Sequence, residues 1–170
     1  MCKFFIVSAL ARGVTCAVSA ENLTPPGDAV EIAIHEDSTL TVSADVEYGA
    51  LTVTGSGKLT LAGAGKITAS SVAVANGITL VNGGQLNSAP VSVGTNGVFE
   101  IAAPMTWTNA ISGEGGVRVS ADEVVFGAQS TFTGGFTVAA GGRARTTVEA
   151  SVGGGFGGVK TRDEVYDKMS

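Results

Sequence analysis

Beyond Cys16 this chain of 170 residues has no cysteine, and the two that it has, Cys2 and Cys16, lie close together near its start. That argues against a disulfide framework and against a cysteine-based metal site in the body of the protein. Charge is scarce too. Charged residues make up 15% of the chain, against about 25% in an ordinary globular domain. Between Leu51 and Ala110 the only charged residues are Lys58, Lys66 and Glu100. An antiparallel sheet with one solvated face would show more. The net charge of -5 and a pI of about 4.8 argue against nucleic acid as a partner, because phosphate binding calls for a basic face. Aromatics are few at 6%, so the hydrophobic 44% rests on small and branched aliphatics.

Catalytic signatures are equally thin. His35 is the single histidine, in Ile34-His35-Glu36-Asp37. One imidazole without cysteine partners rarely makes a transition-metal site, so an exposed strand-end histidine is the better reading. No Gly-x-Ser-x-Gly nucleophile elbow occurs. Gly57-Lys58 and Gly65-Lys66 fail as phosphate loops, since Leu59 and Ile67 follow where Ser or Thr is required. Residues 153–158 contain a G-x-G-x-x-G pattern, a weak signal in a glycine-rich chain. Val159 stands where a calcium-binding nonapeptide would place Asp. The expectation is a non-enzyme without cofactor or metal.

What is present is glycine, 25 residues of it, with only 4 prolines, set among Val, Thr, Ser and Asn. Such a mixture suits short strands and tight turns. Val30-Glu31-Ile32-Ala33-Ile34 alternates apolar and polar, as do Thr39 to Val42, Leu51 to Thr54 and Lys58 to Leu61. A period of two marks strands, and no helical period occurs between Ala29 and Thr147. A glycine followed by an alternating tetrapeptide recurs at Gly57, Gly65, Gly77, Gly84, Gly97 and Gly116, at irregular spacing. That fits a coil whose turns vary in length while its strands stay in register. At about 20 residues per turn, residues 29–147 supply roughly five or six turns. The fold class is therefore all-β, a single-stranded parallel β-helix; a β-sandwich with the same turn chemistry is the alternative.

Residues 1–20 read as a signal peptide: Lys3, an apolar run from Phe4 to Ala11 interrupted by Arg12, and Val18-Ser19-Ala20 before Glu21. Residues 21–28, with Pro25-Pro26-Gly27, read as a linker. Residues 148–170 read as a glycine-rich stretch and polar tail, the start of a truncated continuation, with Asp163 able to cap a short helix.

Residues 111–142 resemble the autotransporter-associated β-strand repeat, the passenger-associated transport repeat. Ile111-Ser112-Gly113-Glu114-Gly115-Gly116-Val117 matches its opening, and Val124-Val125-Phe126 its middle strand. Thr131-Phe132-Thr133-Gly134-Gly135-Phe136-Thr137-Val138-Ala139-Ala140-Gly141 matches its close. Ser130 stands where the family has Asn, and Arg143 where it has Leu. The resemblance implies a right-handed parallel β-helix in an exported bacterial passenger, secreted or held at the outer membrane. It also implies a translocator β-barrel encoded downstream and a structural role in transport, folding, display or adhesion. Ile111, Gly113, Gly115, Gly116, Thr131, Phe132, Thr133, Gly134, Gly135, Thr137, Val138 and Gly141 are then structural motif residues, and none is catalytic. A carbohydrate-binding or carbohydrate-active module is the alternative, with Trp107, Phe99 and Tyr48 as rings that could stack on a glycan.

Overall fold

A computed structural model of the protein describes residues 27–148. The expected signal peptide, the linker up to residue 26, the glycine-rich stretch at 153–158 and the polar tail lie outside the described residues.

Strands follow from the alternation. In β1 (Val30–Ile34) Val30, Ile32 and Ile34 are buried, while Glu31 and Ala33 are not. β2 (Ser38–Thr41) completes the first turn of a solenoid. The second turn carries β3 (Val46–Gly55) and β4 (Gly57–Ala62), the third β5 (Ile67–Val74) and β6 (Ile78–Asn82). The fourth carries β7 (Val91–Val93), β8 (Val98–Ile101) and β9 (Met105–Trp107). The fifth carries β10 (Ile111–Gly113), β11 (Gly116–Val119) and β12 (Val124–Phe126), and the sixth β13 (Phe136–Val138) and β14 (Ala144–Thr146). The described residues contain no helix.

These strands stack into three sheets, of five strands (β1-β3-β5-β7-β10), six (β13-β11-β8-β6-β4-β2) and three (β14-β12-β9). Every pairing is parallel. Hairpins of a sandwich would pair neighbours antiparallel, so the sandwich alternative falls away. In the five-stranded sheet Val30 pairs with Leu51, Leu51 with Val72, Val72 with Val91 and Val91 with Ile111, steps of 21, 21, 19 and 20 residues. The stack has about six turns, within the five or six expected at a turn length of about 20 residues.

Parallel stacking turns the period of two into columns. Leu59, Leu80, Phe99, Val117 and Phe136 form one column on the inner face of the six-stranded sheet. Val30, Leu51, Val72, Val91 and Ile111 form another on the five-stranded sheet, and all five are at most 3% exposed. Burying such columns between the sheets supplies the core that no single turn could enclose.

The irregular glycine spacing also resolves. Gly57, Gly77, Gly97, Gly116 and Gly135 open or immediately precede the strands of the six-stranded sheet, at steps of 20, 20, 19 and 19. Gly65 and Gly84 belong to a different corner. The two series interleave along the chain, which is why one list of glycines looked aperiodic. The Gly84 segment departs from expectation: instead of a strand it makes a single parallel bridge, Leu86 to Ile67. Gly83 and Gly84 are needed there for a bend around Asn82, whose side chain takes the backbone partners that a ladder would use.

Candidate functional site

The two ends of the 111–142 motif, apart in sequence, lie on consecutive turns. The Thr131 N–H donates to the Ile111 carbonyl at 2.8 Å, and the Thr133 N–H to Gly113 at 2.9 Å. The Gly134 N–H donates to Gly115 at 3.0 Å, and the Val117 N–H to Gly135 at 3.0 Å. Beyond the corner Val117, Arg118 and Val119 pair with Phe136, Thr137 and Val138. The opening of the motif is thus the floor on which its close is laid. The glycines follow from this. Gly113 has φ +106, and a Cβ there would come within 2.2 Å of the Val93 carbonyl oxygen one turn below. A Cβ on Gly134 would meet the Gly115 backbone at 2.4 Å. Only glycine lets adjacent corners approach so closely. Gly141, at φ +82, faces open space.

The motif's hydrophobic residues fill the space inside. Phe132 is fully buried and stacks on the half-buried Phe136 with ring centroids 6.2 Å apart. Phe136 meets Phe126 edge-on at 5.7 Å. Ser130 is also buried, and its Oγ accepts the Ile111 N–H at 3.0 Å. Arg143 is exposed just before β14, outside any strand.

Outside this corner lies a hollow of about 330 Å³. Gly115, Gly116, Gly134 and Gly135 line it, flanked by Glu100, Arg118 and Thr137 on one side and Asn96 and Glu114 on the other. Glu100, Arg118 and Thr137 form one outward column on the six-stranded sheet. The Glu100 side chain is 18% exposed; its Oε1 accepts the Ser120 hydroxyl at 2.6 Å and lies 3.7 Å from Arg118 Nε. The Arg118 side chain is 48% exposed. Glu114 accepts the hydroxyl of Thr95. Among the described residues no group of three His, Cys, Asp or Glu side chains is placed to hold a metal ion.

The rings considered for sugar stacking point inward. Trp107 and Phe99 are fully buried and pack against each other at 5.1 Å, and Tyr48 is 3% exposed. None offers a face to a ligand, because each lies in an inward column. Burial raises the Tyr48 hydroxyl above the usual tyrosine value. His35 is exposed, and its carbonyl accepts the Ser56 hydroxyl at 3.1 Å. The two Gly-Lys steps have a structural explanation. Asp37 accepts the Lys58 N–H and Asp45 the Lys66 N–H, each at 2.9 Å from one turn below.

Two polar residues escaped sequence reasoning. Asn82 is fully buried in the column Leu40, Leu61, Asn82, Ile101, Val119. Its Oδ1 accepts the Gly84 and Leu86 N–H groups at 3.0 and 2.9 Å, and its Nδ2 donates to the Leu86 carbonyl at 3.0 Å. Ser88 Oγ accepts the N–H groups of Thr108 and Asn109 at 2.8 and 3.1 Å. Asn-Gly-Gly at 82–84 carried a turn signal; nothing in the sequence placed its side chain inside. Against this fold and corner, no family model, curated protein or solved structure matches the chain.

Proposed function

We propose that the chain is a structural segment of an exported bacterial passenger, a β-solenoid stalk that supports transport, folding and display at the cell surface. The observation that carries this reading is the stacking of the two motif halves on successive turns. It makes each incoming turn fold on the one before it, by parallel pairing and core columns that need no distant part of the chain. A passenger that emerges progressively from a pore benefits from such nearest-neighbour folding. The near absence of charge from Leu51 to Ala110 is consistent with a spacer.

The test places the full chain ahead of a translocator β-barrel in a Gram-negative host and follows protease accessibility on intact cells. Surface exposure of a protease-resistant solenoid is expected, and Gly134→Ala, which clashes with the Gly115 backbone, should lower the exposed fraction several-fold. Retention of the unaltered chain inside the cell would overturn the proposal.

A further inference from the structure

The hollow over the motif corner has a second use, which goes beyond the stalk reading. We infer that it is a binding subsite for a neutral, hydroxyl-rich ring, a single pyranose unit of a glycan. Its volume of about 330 Å³ lies at the small end of the range for ligand sites. Its floor is bare backbone, because Gly115, Gly116, Gly134 and Gly135 carry no side chains. Side chains on either side of that floor converge on it, and they have complementary hydrogen-bonding habits.

The Ser120 hydroxyl holds Glu100 through one oxygen, Oε1, which also faces Arg118, and Oε2 is left as an acceptor. A held carboxylate oxygen is suited to a sugar hydroxyl, since charge-assisted bonds are the strong ones. Arg118 Nε lies 3.7 Å from that carboxylate, beyond hydrogen-bond reach, so the guanidinium keeps donors for a ring or hydroxyl oxygen. Asn96, exposed at φ 58 on the corner, adds a carboxamide that both donates and accepts. Two carboxylates, Glu100 and Glu114, against one guanidinium disfavour an anionic ligand. Recognition is therefore by hydroxyl pattern rather than by charge.

The experiment is an amide NMR titration of the full chain with methyl glycosides of glucose, galactose and mannose, and with methyl glucuronide as the anionic comparison. Saturating shifts are expected for at least one neutral glycoside, centred on Gly115, Gly116, Gly134, Gly135 and Thr137, with affinity in the millimolar range. Glu100→Gln should weaken binding about tenfold, and Arg118→Met should do the same, with amide shifts outside the hollow unchanged to show that the fold is intact. Absence of saturating shifts, shifts centred elsewhere, or equal binding of methyl glucuronide would each overturn the inference. None of those results bears on export of the chain, so the stalk reading would stand or fall separately.

Discussion

Tyr48 is 3% exposed, and its hydroxyl is enclosed without a hydrogen-bond partner. A buried hydroxyl left unpaired costs about 1–3 kcal/mol, so Tyr48→Phe should leave stability at pH 7 unchanged or raise it by about 1 kcal/mol. Burial also lifts the folded-state value of the phenol above that of the unfolded chain. As pH rises through about 10 the unfolded chain releases this proton first, so the group's contribution is intact below that pH and is lost as pH rises toward the folded-state value. Denaturant melts from pH 8 to 11 should show a steeper loss for the natural chain than for Tyr48→Phe. A variant destabilised by more than about 1 kcal/mol at pH 7 would mean that the hydroxyl has a partner after all. Asn82 is the opposite case, a buried polar side chain with its hydrogen bonds made. Pairing between turns places position 82 in an inward column, and its asparagine serves a bend whose Gly84 and Leu86 backbone groups it satisfies.

Strands and corners divide the work of the fold. A strand here needs only alternation, whereas a corner needs room. Gly113 and Gly141 separate two demands on corner glycines. Both have positive φ, but a Cβ at Gly113 would collide with Val93 and one at Gly141 would meet nothing. Gly141→Ala should cost about 1 kcal/mol, the penalty of a left-handed conformation alone. Gly113→Ala adds a backbone collision and should cost about 3 kcal/mol or more. Thermal melts followed by circular dichroism would compare them, and equal costs would show that close packing between corners is unimportant. Individual strands such as β1, β4, β8 and β12 were legible from the sequence. The corners were less so, because two interleaved series of glycines look irregular until the turns are stacked.

At the scale of the whole fold, contacts between strands of the described residues run from one turn to the next, so the solenoid is close to a one-dimensional array. Removal of residues 91–110 takes out one turn in register: Val72 then faces Ile111 where it had faced Val91. Leu80 likewise meets Val117 in place of Phe99. Phe99 and Trp107, which pack on each other, leave together. The shortened chain should keep its β spectrum and a cooperative melt at lower temperature, because repeat stability sums over turns and interfaces. A chain that loses its fold on this excision would mean that the turns are not interchangeable units. The remaining turns keep the corner of Gly113 and Gly134, so the motif stacking would be retained.

The amino-acid sequence by itself determined that the body of the protein is all-β and that its strands bury alternate side chains. Each of these depends on neighbours in the chain: a period of two, β-branched residues and glycine punctuation. Only the tertiary structure decided which residues meet across turns. It laid Thr131 and Thr133 beside Ile111 and Gly113, sent Trp107, Phe99 and Tyr48 inward, and gathered Glu100, Arg118 and Glu114 around bare glycine backbone. The physical reason is the step itself. Turns vary between 18 and 21 residues, and a slip of one residue would turn every side chain to the other face. Which side chains share a column is therefore set by pairing between turns, where core burial selects the register.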